Sequence, residues 1–308
     1  TAYEISLGLV GSEMCIRDRY MCGICGEIRF DNLEINRQTA KKMINAVARR
    51  GPDNEGLYFN KHVFLGHRRL SVIDITERSN QPMTDYSLKM TIIFNGVIYN
   101  YKELRSRLEK EGYSFFSDGD TEVILKSYHF FGEKCVDYFD GVFAFCIFDQ
   151  NKGSLFLSRD RLGIKPLYYT LNDNFFRFSS TAKSLINLES NETEVDKVSL
   201  HYHFTLHSVV PAPRTVINSI KKLEPGHNIK INFDGKVENK QYYSFNDLSI
   251  DSSINENDIL DEIERLLILA IKKRLTTADV PVGLSLIHIS EPTRPRLISY
   301  AVLCLKKK

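Results

Sequence analysis

The chain has 308 residues, 43% of them apolar, with 41 basic against 39 acidic side chains and a formal net charge of +2. That balance describes a globular protein of one or two domains with a substantial core; it speaks against a nucleic-acid partner, and no apolar run reaches the ~18 residues of a membrane helix. Six cysteines at irregular spacing form no disulfide framework and favour a reducing compartment, the cytoplasm.

Residues 5–19 hold a short apolar run with no basic lead and with charges behind it, which argues against a secretory signal. Residues 1–20 resemble the translation of a sequencing adapter, and so does the stretch 285–308. Both are set aside as an artefactual leader and tail.

In chain order, Glu27-Ile28-Arg29-Phe30 alternates like a half-buried strand. Met43, Ile44, Val47 and Ala48 form one helical stripe, and Arg50-Gly51-Pro52-Asp53 ends it with turn chemistry. Val63–His67 and Leu70–Asp74 read as strands around the basic pair Arg68-Arg69. Lys89–Phe94 is an apolar strand running into Asn95-Gly96, a tight-turn signal. Asn100 is expected to cap one helix, with Leu104 and Leu108 on its buried side, and Asp120 the next, with Val123, Ile124 and Tyr128 on one face. Val142–Phe148 is too uniformly apolar to face water and predicts a buried central strand, followed by Ser154–Arg159 and the polar loop 159–166. Residues 211–245 carry Pro211, Pro213, Pro225 and Gly226 between short strands, a rim to the first domain. Hairpin-linked strands with inserted helix pairs give an α+β layered fold. The acidic stretch 247–258 has the composition of a linker, and Ile259, Ile263, Leu266, Leu267, Ala270 and Ile271 mark an amphipathic helix that opens a second domain.

The chemistry starts from Met21-Cys22-Gly23-Ile24-Cys25-Gly26. If Met21 is the initiator and is removed, Cys22 carries a thiol and a free α-amine. Such an amine titrates near pH ~7.7–8.0 and can take the thiol proton and return it to a leaving amine. The competing reading, a CxxC redox or metal pair, lacks a second pair at zinc spacing. Cys25 is therefore expected as a small buried apolar residue, and no metal is expected. Asn95 and Gly96 offer a side-chain amide and a backbone N–H for an oxyanion hole. Arg69 can hold a carboxylate by a two-point contact, and Asp120 at a helix start can accept from an ammonium. Each has a plain alternative: a hairpin turn for Asn95-Gly96, a surface ion pair for Arg69, an N-cap for Asp120. Taken together they describe a site for an amino acid whose side chain carries the scissile amide, and glutamine is the natural candidate.

With their flanks, these residues resemble the class II glutamine amidotransferases. The matching segments run in order from Met21-Cys22-Gly23-Ile24 through Arg50–Asp53, His67–Ser71, Phe94–Asn100 and Asp118–Ile124 to Arg159–Leu167, so the resemblance covers residues 21 to about 180. Within that class the chain is most similar to the glutamine-hydrolysing asparagine synthetases, through Ile98-Tyr99-Asn100, Ile220–Gly226 and the helix leading to Asp279-Val280-Pro281-Val282-Gly283. The resemblance implies an N-terminal-nucleophile hydrolase fold, a four-layer αββα sandwich, over 21–246. Residues 247–284 would then be the linker and the first helix of an α/β synthetase domain cut short before its ATP loop. It implies Cys22 as nucleophile, Asn95 and Gly96 as oxyanion hole, and a glutamine pocket completed by Arg69, Leu70, Ser71, Val72, Ile73, Val97 and Asp120. The glutaminase domain would need no cofactor; ATP and magnesium, with aspartate as acceptor, belong to the synthetase half. A homodimer is allowed. Two positions depart from the pattern. Val97 stands where the family usually has a glutamate that helps bind the substrate ammonium, which predicts weakened glutamine binding. Arg49 stands for a histidine and reads as a surface variation. Other readings are a paralogue with another acceptor and a non-catalytic glutamine-binding module.

Overall fold

The computed structural model describes residues 21–186, 188, 193–245 and 255–280. The expected leader, most of the expected linker, and the tail lie outside the described residues. The chain divides into two compact units between Ile250 and Asp251.

The first unit is built on two six-stranded antiparallel sheets. One has β1 (Gly23–Arg29), β2 (Asn54–Phe59), β3 (Val63–Arg69), β8 (Tyr168–Leu171), β9 (Phe175–Ser179) and β10 (Lys221–Lys222), in the order β10-β8-β9-β1-β3-β2. The other has β4 (Met83–Asp85), β5 (Met90–Ile98), β6 (Gly141–Asp149), β7 (Ser154–Arg159), β11 (His227–Asn232) and β12 (Val237–Gln241), in the order β12-β11-β7-β6-β5-β4. The stretch 211–245 thus does more than form a rim: its strands extend both sheets at their edges.

Period-two alternation sorts the apolar residues into three cores. Ile24 and Ile28 of β1 meet Ile93, Ala144, Cys146 and Phe148 between the sheets. Cys25 and Phe64 face the other way, onto Met43 and Ile44 of α1 (Arg37–Ala46), Val47 at its end, and Leu185 of α4 (Lys183–Ile186). On the far side, Phe94, Phe143 and Phe145 pack against Leu104 and Leu108 of α2 (Tyr101–Lys110) and Val123, Ile124 and Tyr128 of α3 (Asp120–Phe131). Helix, sheet, sheet, helix is the expected αββα sandwich. β6 is apolar on both faces because it separates two of these cores, and Cys25 is a buried apolar filler at 0% exposure.

Five local expectations are corrected. β1 is not half-buried; helices cover one face and a sheet the other, and Glu27 inside it is held by Arg177 at 2.9 Å. Asn95-Gly96 is not a turn but the interior of β5, opposite Ala144 and Phe143. Gly96 is needed there because β6 comes too close: a Cβ would lie 2.2 Å from the Val142 carbonyl oxygen. Leu70–Asp74 is irregular, since β3 ends at Arg69. Neither expected side-chain cap forms. Asn100 turns its amide to the Tyr138 carbonyl and the Asp140 N–H, and Gly119 occupies the cap position before Asp120. α3 is also buried all round, from Asp120 to Tyr128, where a single apolar face was expected. α5 (Lys197–Thr205) completes the first unit.

In the second unit the described residues form α6 (Glu256–Thr277), whose amide-capped start at Asn255 precedes exposed Ile259, Ile263, Leu266 and Leu267. Among the described residues no helix is long and apolar enough to cross a membrane.

Candidate active site

The β1–β3 register pairs Gly23 with Arg68, so the residue before β1, Cys22, falls beside Arg69 at the end of β3. β5 brings Asn95 and Gly96 to the same end of the sandwich. These strand ends, the start of α3 and the loop 159–166 enclose a cavity of about 140 Å³. Cys22, Arg69, Leu70, Val72, Ile73, Asn95, Gly96, Val97 and Asp120 all line it. Ser71 does not: its N–H is drawn to the Asp53 carboxylate at 2.7 Å. Arg49 is exposed, as a surface variation should be.

The Cys22 sulfur is fixed by backbone. It accepts from the Leu70 N–H at 3.3 Å and lies 3.5 Å from the Leu70 carbonyl, while Arg50 Nε donates to the Cys22 carbonyl at 3.1 Å. Burial pushes the thiol pKa up; the Leu70 N–H and the charges of Lys165 and Arg69 oppose that rise, and Asp120 adds to it. At neutral pH the group is therefore a thiol and needs a base. Among the described residues no histidine lines the cavity.

Asn95 is 1% exposed, and its carboxamide nitrogen is buried without a hydrogen-bond partner among the described residues. A buried donor left unmade costs about 1–3 kcal/mol, so the fold keeps a donor ready for an acceptor it does not itself supply. The Phe94 carbonyl just before it accepts from His67 Nε2 at 3.1 Å, and the Phe94 N–H donates to Gln81 Oε1 at 2.6 Å. Burial lowers the His67 pKa to about 3, so this imidazole is neutral and structural.

Arg69 is 5% exposed. Its Nη1 donates to the Thr76 carbonyl at 2.8 Å and to Asn80 Oδ1 at 2.7 Å, and its Nη2 to the Asp74 carbonyl. The bonds leave Nε–H and one Nη2–H, on adjacent nitrogens, for a carboxylate. Across the cavity Asp120 is buried, which raises its pKa to about 7, although it accepts from the Ile98 N–H at 3.0 Å. An arriving cation would favour its ionised form.

Sequence reasoning missed Lys165, Gln81, Ser79 and Thr121, which also line the cavity. Lys165 is only 9% exposed, with Nζ 2.8 Å from the Met21 sulfur. Lys165 and Thr121 fall in the matching segments Arg159–Leu167 and Asp118–Ile124, which was their signal; Gln81 and Ser79 carried none. Among the described residues no group of three or more His, Cys, Asp or Glu is placed to hold a metal.

Residues 21–243 match the family model described as "Glutamine amidotransferase domain". The chain is 38% identical to "Putative asparagine synthetase [glutamine-hydrolyzing] 2" of Methanocaldococcus jannaschii over 283 residues, covering 85% of this chain and 54% of that protein. It is also 38% identical to "Asparagine synthetase [glutamine-hydrolyzing] 1" of Bacillus subtilis over 270 residues, covering 85% of this chain and 41% of the relative. The chain thus spans about half or less of the length of these relatives. Among solved structures, the glutamine phosphoribosylpyrophosphate amidotransferase of B. subtilis superposes with a TM-score of 0.52 at 15% identity, covering 72% of this chain and 49% of that one, a likeness of fold. By the family model that covers most of its length, this chain belongs to the glutamine amidotransferase domain family.

Proposed function

We propose that this chain carries the glutaminase half of a glutamine-hydrolysing asparagine synthetase, and that Cys22 is its nucleophile once the residues before it are removed. The observation that carries the reading is the buried carboxamide N–H of Asn95, without a partner among the described residues, in a cavity that Cys22, Arg69 and Asp120 also line. Arg69 takes the α-carboxylate of glutamine and Asp120 the α-ammonium; Leu70, Val72, Ile73 and Val97 shape the space between them.

The free α-amine of Cys22 takes the thiol proton, and the thiolate adds to the side-chain carboxamide carbon. The oxyanion accepts from Asn95 Nδ2 and the Gly96 N–H. As the C–N bond breaks, the ammonium of Cys22 returns the proton to the leaving nitrogen, and ammonia departs from a thioester. Water, deprotonated by the same amine, then releases glutamate and restores the thiol. In the whole protein the ammonia would serve ATP-dependent amidation of aspartate. ATP and magnesium would serve that second reaction, and none of the cavity residues is assigned to them. We place the enzyme in the cytoplasm, with small-molecule substrates.

The experiment compares the full chain with one that begins at Cys22, by glutamate release and by covalent capture with a 5-oxo-norleucine label. A blocked amine removes the general base, so the Cys22-first protein should be about 10²–10⁴-fold faster. Equal turnover would overturn the free-amine mechanism. Absence of both turnover and capture at Cys22 would leave a glutamine-binding module without catalysis.

A further inference from the structure

The loop after β3 follows one charged residue of the cavity, Arg69, the loop before α3 leads into another, Asp120, and one carboxylate bridges the two loops. Asp74, 6% exposed, accepts from Thr76 N at 3.2 Å and Thr76 Oγ1 at 2.6 Å with one oxygen. With the other it accepts from Ser79 Oγ at 2.6 Å and from the Asp118 N–H at 2.9 Å. Its own carbonyl receives Arg69 Nη2. The same residue therefore grips the guanidinium on one side and, two residues ahead of Asp120, the start of α3 on the other. Asp74 sits at φ +43°, a left-handed conformation that aspartate tolerates because its short polar side chain bonds locally. That turn lets carbonyl and carboxylate reach in different directions.

The rest of the seam is weaker or merely steric. Gln81 Nε2 donates to Thr121 Oγ1 at 3.1 Å, a buried bond between neutral groups, and Arg78 and Asp118 pair at 3.0 Å, but both are more than half exposed, where ion pairs contribute little. At Gly119 a Cβ would lie 2.8 Å from Ser79 Oγ, so the loops are already in close contact. Burial would raise the Asp74 pKa, but the bonds from Ser79, Thr76 and Asp118 outweigh it and hold the carboxyl near 2. It is ionised throughout the working range, and its hydrogen bonds are charge-assisted.

We propose that Asp74 is a positioning residue that sets the spacing between Arg69 and Asp120, and so selects ligands carrying a carboxylate and an ammonium on one carbon. This rests on the roles proposed above for those two anchors. A ligand with both charges needs both anchors at a fixed separation; a ligand with one charge needs only one anchor.

The test measures binding, not turnover, by calorimetry on the full chain and its variants. The ligands are L-glutamine, glutaramate, which lacks the amine, and 4-aminobutanamide, which lacks the carboxylate. In Asp74→Gly, which relaxes the backbone while deleting the carboxylate, L-glutamine should weaken about 30-fold and each single-charge ligand about threefold, a difference within the usual size of site coupling. Asp74→Asn keeps one acceptor and the left-handed turn, and should fall between the two. Alkylation of Cys22 by iodoacetamide, followed by peptide mapping, should stay within about twofold of wild type, because backbone at Leu70 holds the sulfur, while Cys25, Cys135 and Cys146 remain unlabelled in a folded chain. Equal weakening of all three ligands in both variants would make Asp74 a general structural support and overturn the proposal. If wild type binds glutamine no better than the single-charge ligands, the anchors themselves are wrong, whatever Asp74 does.

Discussion

The cavity has two halves built by different means. The reacting half stands on strands: Cys22 at the head of β1 and Asn95-Gly96 inside β5 are placed by sheet register and by backbone hydrogen bonds. The proposed anchoring half stands on element ends steadied by loop contacts: Arg69 closes β3 and leans on the carbonyls of Thr76 and Asp74 in the loop after it, and Asp120 opens α3 and accepts from the N–H of Ile98. Register cannot slip by one residue without turning every side chain to the other face, so the strand half is set by the whole sandwich. The anchoring half depends on a few side-chain contacts and can vary without unmaking the sheet. Changes on the strand side should therefore appear in the chemical step, and changes on the anchoring side in glutamine affinity.

The sharpest break of that division is Asn95→Ala. Removing one oxyanion donor typically costs about 10²–10³ in kcat, and here the donor is already buried and without a partner among the described residues. In a chain beginning at Cys22, kcat should fall by that amount with KM changed less than about threefold. Because the substitution also removes an unsatisfied polar group, the protein should not lose stability beyond its lost packing, which thermal denaturation would measure. A large rise in KM with unchanged kcat would move Asn95 to the binding side.

Asp120→Asn tests the other half. Asn keeps an acceptor for the Ile98 N–H but not the charge for an ammonium, so KM for glutamine should rise about 10–100-fold, the size of a charge-assisted contact, with kcat nearly unchanged. The pH dependence follows from the raised pKa of about 7. Below it the empty site is protonated and binds an ammonium poorly, so glutamine KM in the wild type should fall roughly tenfold from pH 6 to pH 8 and lose that slope in the variant. Stability has the opposite sign. A carboxyl whose folded pKa lies above its unfolded value loses stability as pH rises from the unfolded value, near ~4, through about 7. Above pH 8 Asp120→Asn should melt higher than wild type, by on the order of 1–3 kcal/mol. Equal melting at pH 8 would mean that the buried charge is already compensated.

The same division decides what could be read from the sequence. Val142–Phe148 announced a strand covered on both faces because a continuous apolar run needs no knowledge of neighbours, and the anchors Arg69 and Asp120 were legible as charges beside turn residues. Asn95-Gly96 misled: locally the pair favours a turn, and only the approach of Val142 in another strand shows that Gly96 is there to make room. Lys165 and Gln81 were missed for a related reason. Gln81 is placed by its bonds to Thr121 of α3 and to the Phe94 N–H of β5, and Lys165 by a loop whose Arg159 and Asp160 bond to Leu223 and Phe143; local patterning does not show these contacts. Ser71 was assigned to the pocket by the resemblance, and its N–H is instead taken by the Asp53 carboxylate.

Val97 is the smallest expected effect and the one that joins the halves, since it lies on β5 but faces the cavity just before Ile98, whose N–H holds Asp120. Val97→Glu adds a second acceptor for the substrate ammonium. It also sets two carboxyls side by side in a buried place, which pushes the Asp120 pKa further above 7. The gain must therefore grow with pH. Near pH 7 the pair shares a proton, and KM for glutamine should fall only about two- to threefold; near pH 8.5 both can ionise around the ammonium, and the fall should approach tenfold, about one added charge-assisted contact. kcat should not follow, because the reacting half is untouched. Steady-state kinetics at the two pH values decide it: a KM ratio that is flat with pH would mean the new carboxylate does not share the ammonium with Asp120, and an unchanged KM at both would remove Val97 from the list of residues that set glutamine affinity.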